Sequence, residues 1–225
     1  TGGATVALVK GAGTSDGTLS AVTDQGDGTY TATFTATTAG TARTISATVG
    51  GEALTTAAPA ITVTPGAVSL ATSTLEVGAG TLSSGAETVV TLTTRDAAGN
   101  ALTSGGLTVA FTLDAGSAGG TLSAVTDQGD GTYRATFTAT VAGSARTIGA
   151  TIGGVAITST LPSIAVTAGA LSLVRSRVQV GADTLASGDS TTLTLAVRDA
   201  AGNLLGAGGL TVAFVKSDGT SDGVI

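Results

Sequence analysis

The sequence predicts an all-β fold laid out as tandem repeats, and three observations carry that prediction. The segment Gly17 to Tyr30 returns unchanged as Gly120 to Tyr133, and Asp96-Ala-Ala-Gly-Asn100 returns as Asp199 to Asn203, so the period is 103 residues. A period of this length is a whole domain rather than one solenoid turn. Within the repeat, Tyr30, Ala32, Phe34 and Ala36 alternate with Thr31, Thr33, Thr35 and Thr37, a period of two that buries one set and leaves a threonine face to solvent. The 225 residues include 35 Gly but only 3 Pro, and they are 42% hydrophobic with 3% aromatic. Such a chain suits turn-rich sheets with small aliphatic cores rather than helix or disorder.

The strands follow in order along the one complete repeat, residues 67–169. Strand A lies within Val68 to Val77, B within Glu87 to Arg95, and C within Leu107 to Leu113 with Val109, Phe111 and Leu113 inward. D spans Thr121 to Thr126, E spans Thr132 to Thr140, and F spans Ala145 to Ile152. Gly153-Gly154 then makes a tight hairpin into G, which ends near Val166. Seven strands in about 100 residues, with turn signals every 8 to 12, form the pattern of an immunoglobulin-like β-sandwich. The absence of Cys and Trp removes only the pins of antibody domains. The junctions Val63-Thr-Pro-Gly-Ala67 and Val166-Thr-Ala-Gly-Ala170 are too short for free swivelling, so a stiff array is expected.

The ends fall out of phase with the repeat. Residues 1–66 supply strands C to G without A and B, and residues 170–225 supply A to C without the rest. Each half leaves an apolar face and unpaired edges. Two explanations stand: a segment cropped from a longer array, or half-domains that complement a neighbouring molecule head to tail. With no Met at position 1 and no visible signal peptide, the sequence reads as an internal fragment.

At this point the residues match a known family. Thr23-Asp-Gln-Gly-Asp-Gly-Thr-Tyr30 and its continuation to Gly40, followed by Thr44-Ile-Ser-Ala-Thr-Val-Gly-Gly51, resemble bacterial Ig-like domains of group 1, the invasin and intimin type. So do Thr192 to Asn203 followed by Gly209-Leu-Thr-Val-Ala-Phe214. The resemblance covers essentially the whole chain. It implies a stalk or fibre segment of a surface adhesin, exported from a bacterium, whose host or matrix ligand is met by domains outside this fragment. The Asp-Gly-Thr-Tyr turn is also similar to filamin repeats, which would imply an actin cross-linker instead. The remaining alternative is a ligand-binding or self-associating module.

Function classes can be excluded from the side-chain inventory. Nine Lys and Arg against 15 Asp and Glu give a net charge of −6, which repels nucleic acid and anionic membrane surfaces. No apolar run reaches the roughly 20 residues of a membrane helix. There is no His and no Cys, so the usual general base and strongest nucleophile are missing and no enzyme is expected. A Ser-Lys dyad or a Lys-Asn cross-link would need Lys10 or Lys216, yet the complete repeat carries Leu113 there. The aromatic residues Tyr30, Phe34, Phe111, Tyr133, Phe137 and Phe214 sit in strand patterns and read as core. The threonine faces suit solvent-exposed sheet better than O-linked sugar, and neither asparagine forms a sequon.

No cofactor is required by this reading, and calcium is the one candidate. In a seven-strand sandwich the B–C and D–E loops share a pole, so Asp96 and Asn100 are expected near Asp127 and Asp130, facing the preceding repeat. Hard oxygens clustered there suit Ca²⁺. The competing reading is turn chemistry, in which Asp and Asn bond their own backbone. A second acidic loop, Ser217 to Gly223, is replaced by Gly116 to Gly120 in the complete repeat, which argues against an obligatory ion there.

Overall fold

The computed structural model describes residues 3–219, 223 and 224; Asp222 of the second acidic loop, with Thr220 and Ser221, lies outside them. All its regular elements are strands. The first segment contains β1 (Val6–Lys10), β2 (Asp16–Leu19), β3 (Thr23–Asp24), β4 (Tyr30–Thr31), β5 (Phe34–Thr38), β6 (Arg43–Val49), β7 (Glu52–Ala53) and β8 (Ala60–Ile61). The middle contains β9 (Thr74–Val77), β10 (Thr81–Ser83), β11 (Glu87–Thr93), β12 (Val109–Leu113), β13 (Gly119–Leu122) and β14 (Thr126–Asp127). It continues with β15 (Thr132–Val141), β16 (Gly143–Ile152), β17 (Val155–Ala156) and β18 (Ser163–Thr167). The last segment contains β19 (Arg177–Val180) and β20 (Leu193–Ala196).

The middle segment is a two-sheet sandwich. One sheet runs β13-β15-β11-β9 with β14 beside β15, and the other runs β10-β18-β16-β12 with β17 beside β16. Alternation along β15 drives the packing: Tyr133, Ala135, Phe137 and Ala139 are buried, whereas Arg134 and Thr140 are exposed. Tyr133, Phe137 and Ala139 meet Ile148, Ala150 and Ile152 of β16 and Ile164 and Val166 of β18 in one core with Leu75, Val90 and Leu92. The buried Tyr133 hydroxyl accepts the Leu107 N–H at 2.9 Å, the partner a buried phenol needs. Gly153 and Gly154 take φ of 59° and 83°, the double positive φ of a type I′ hairpin, and join β16 to β17 as the sequence implies.

Two regions differ from expectation. Strand A, expected within Val68 to Val77, is present there as β9, paired antiparallel to β11, but a further strand, β10, follows it and pairs parallel with β18. The bend passes Gly78 and Gly80, where the chain leaves one sheet and joins the other; Ala79 between them is held by its N–H to Thr88 Oγ1 at 2.8 Å. Strand D is split into β13 and β14 because Ser123 interrupts the ladder: its hydroxyl accepts the Thr136 N–H at 2.9 Å and donates to the Ala124 carbonyl.

The flanking segments repeat the local pairings without the second half of the sandwich. Where β15 is continuous over Thr132–Val141, its equivalent breaks into β4 and β5. Among the described residues of that segment nothing takes the place of β11, whose seven-position ladder holds β15 straight. The apolar faces are open accordingly. Val178 and Leu185 are 58% and 45% exposed, whereas their equivalents Leu75 and Leu82 are 5% and 8%; Leu54 is 50% exposed against 5% for Ile157.

Candidate functional site

The B–C loop begins where β11 ends and is built on itself. Asp96 N–H donates to the Asn100 carbonyl, Gly99 N–H returns to the Asp96 carbonyl, and Arg95 and Ala101 form a bridge. Gly99, at φ 86°, supplies the left-handed residue this reversal needs. The Arg95 guanidinium donates to the Gly99 carbonyl at 2.9 Å and fixes the loop from the other side.

The Asp96 carboxylate is the anchor. One oxygen accepts the Ala98 and Asn100 N–H groups at 3.0 and 2.9 Å, and the other accepts the Gly66 N–H and the Asn100 Nδ2 at 2.9 Å each. Gly66 lies in the linker from the preceding repeat, so this side chain ties linker to loop. Asn100 then reaches across the junction. Its Oδ1 accepts the Ala39 N–H at 2.9 Å and its Nδ2 donates to the Thr37 carbonyl at 2.9 Å, bracketing the corner between β5 and β6. One period later the same clamp recurs. Asp199 holds the Gly169 N–H and Asn203 at 2.8 Å, while Asn203 accepts from Ala142 at 2.9 Å and donates to the Thr140 carbonyl at 2.8 Å.

The donors around these carboxylates set their acidity. At Asp96 the Gly66 N–H, then the Asn100 amide and two further backbone N–H groups hold the pKa down to about 2. At Asp199 burial opposes ionisation but is outweighed by the Asn203 amide and the N–H groups of Gly169, Asn203 and Ala201, and the value again falls to about 2. Both lie below the ordinary 3.8, so the stabilisation is complete above that pH and is lost as the pH falls through about 2. The junction is therefore expected to hold its geometry at pH 4 and to loosen towards pH 2, which scattering profiles collected across that range would record.

The other two candidate residues do not join this cluster. Asp127 accepts the Gly106 N–H at 2.6 Å and the Gly129 N–H at 2.8 Å. Asp130 accepts the Thr132 N–H and hydroxyl at 2.9 and 2.6 Å, and these bonds lower its pKa. Asp130 closes its own turn, and Asp127 closes its turn and also ties it to Gly106, ahead of β12. Among the described residues no group of three or more His, Cys, Asp or Glu side chains is placed to hold a metal ion. Lys10, considered above for a dyad, pairs with Asp16 at 2.7 Å and donates to the Gly17 carbonyl.

The partners of Asn100 are the part sequence reasoning missed. They are main-chain atoms of Thr37 and Ala39, which carry no side-chain signature; the usable signal was the unchanged recurrence of Asp96 to Asn100 one period on.

The family model for invasin domain 3 matches residues 1–66 and 69–169. This chain belongs to that family. The structure of FdeC, an Escherichia coli adhesin, is 30% identical with a TM-score of 0.50, over 90% of this invasin-type chain and 66% of that one. InvD of Yersinia pseudotuberculosis is 28% identical with a TM-score of 0.51, over 91% and 62%. The chain thus spans somewhat less than two thirds of these relatives' structures. No curated protein sequence matches it. The matching family and these solved structures are those of bacterial adhesin Ig-like domains. Among the described residues no helix is long and apolar enough to cross a membrane.

Proposed function

We propose that this chain is a spacer segment of a bacterial cell-surface adhesin, which holds a ligand-binding part away from the cell while transmitting orientation along the stalk. The observation that carries this reading is the recurrence of one clamp at both junctions. A hinge would leave a swivelling linker, whereas here linker, loop and the preceding corner are bonded together by two side chains per junction. The clamp engages backbone atoms alone in the preceding repeat, so it works for any order of repeats. In this reading the junction needs no calcium, and any host or matrix ligand is met elsewhere on the stalk.

A second reading is favoured by the open faces at Leu54 and Val178. The apolar face of residues 170–213 matches the one that β9 to β11 present to the rest of the central sandwich, so it fits residues 4–63 of a second copy and would join molecules head to tail. Small-angle scattering of the 225-residue chain separates the two. The spacer reading predicts a rod whose dimensions do not change with concentration. Growth of the particle with concentration supports association, and a compact or broadly distributed particle would sink the spacer reading.

A further inference from the structure

We infer that the parallel pairing of β10 with β18 is a load-bearing clamp, through which each repeat resists tension applied along the array. This inference rests on the spacer reading, since only a stalk held at both ends is pulled this way.

The geometry follows from the strand directions. β9 starts beside the B–C loop, where Val68 bridges Asp96 and Thr74 pairs with Thr93, and it runs away from the preceding repeat to Val77 opposite Val90. β10 continues in that direction. β18 runs parallel to it, in the register Thr81↔Ala165, Leu82↔Val166 and Ser83↔Thr167, and leaves the sandwich towards the next clamp, where Gly169 N–H binds Asp199. The chain therefore enters at one pole and exits at the other on two adjacent, parallel, hydrogen-bonded strands.

Tension along the array draws β10 back towards the entry pole and β18 forward to the exit. The two strands must slide past each other along their own axes. The bonds between them, including Ala165 N–H to the Gly80 carbonyl at 2.9 Å and Ser84 N–H to the Thr167 carbonyl at 2.8 Å, are loaded together rather than one after another. Behind them the β9–β11 ladder over four positions is also loaded along its length. Buried Leu82 and Val166 lie side by side at the centre of the pair and keep water from its inner face. A Cβ on Gly169 would lie 2.8 Å from the Ser84 carbonyl, so glycine lets the exit segment run close against the end of β10. Had the chain entered and left on strands joined at one pole, the same bonds would open singly, like a zipper.

Because forced unfolding is governed by the barrier rather than by equilibrium stability, pulling direction is the test. The chain has no cysteine, so handles can be placed at will. In single-molecule force spectroscopy the 225-residue chain pulled by its ends is expected to show a high-force event releasing about 350 Å, the length of roughly 100 extended residues. The same sandwich pulled through Ser83→Cys and Thr167→Cys, exposed neighbours across the pair, is expected to open at a force lower by about two- to threefold, since its bonds then break in sequence. Ala165→Pro, which deletes the N–H donated to Gly80, should lower the end-pulled force, whereas Leu122→Ala on β13, off the load path, should not. Equal forces in the two directions would overturn the inference. So would an end-pulled force that Leu122→Ala lowers as much as Ala165→Pro. Should the proline variant not fold, the two-direction comparison decides alone. A scattering rod that nevertheless unfolds at equal force in both directions would refute the clamp and leave the spacer reading standing.

Discussion

Replacing Phe137 with alanine is expected to lower the unfolding free energy of the central sandwich by about 3–5 kcal/mol, the usual cost of deleting a buried ring and leaving its cavity. Phe137 is fully buried between the sheets, and its ring lies against Gly120, where any Cβ would collide with it. Its neighbours are held by two ladders, to β11 and to β13, so the site has little freedom to collapse. A folded domain is stable by only about 5–15 kcal/mol, so the variant should unfold at much lower denaturant. The equivalent change at Phe34 should cost distinctly less. Phe34 is only half-buried, because the segment before the first junction lacks the strands that cover Phe137. Chemical denaturation of both variants checks the contrast, and equal losses would show that the flanking segment packs as tightly as the middle one.

The second large effect is expected at the clamp. Asn100→Ala removes the two bonds to Ala39 and Thr37 and the one to Asp96. Partly buried backbone groups left without partners cost about 1–3 kcal/mol each, towards the lower end where water can reach them. The loss falls on the coupling between repeats, since each sandwich core is untouched. The fold of the middle segment should survive while its orientation to the preceding one is released. Asn100→Asp is expected to be worse. A carboxylate cannot donate to the Thr37 carbonyl and sets a second negative charge beside the Asp96 carboxylate. Nuclear magnetic resonance alignment or spin-label distances across the junction would register both changes, with the aspartate variant the more mobile.

Much of this architecture was legible in the sequence because side chains encode it. The alternation of Tyr133, Ala135, Phe137 and Ala139 announces a half-buried strand, and Gly153-Gly154 announces its hairpin. The extra strand β10 was not legible, because Thr81 to Ser83 is only three residues long after Gly78 and Gly80, and its place in the second sheet depends on β18, more than 80 residues away in sequence. The break between β4 and β5 was hidden for the converse reason: the local pattern matches β15, whose straightness depends on the ladder to β11, a strand distant in sequence. At the junction, Asp96 and Asn100 stood out as oxygen-bearing residues facing the preceding repeat. Whether those side chains would meet an ion or the backbone is decided by the approach of the Gly66 and Ala39 N–H groups and the Thr37 carbonyl, which are main chain and therefore silent in the sequence.

The central claim, that direct hydrogen bonds fix one repeat against the next, is tested most directly by a distance across the junction. Gln25 and Gln128 are exposed and one period apart, and the absence of native cysteine makes Gln25→Cys and Gln128→Cys unique spin-label sites. Pulsed dipolar spectroscopy should give a single narrow distance, unchanged by a chelator and broadened by Asn100→Ala. A broad distribution in the otherwise unaltered chain, or one that narrows only when calcium is added, would contradict it.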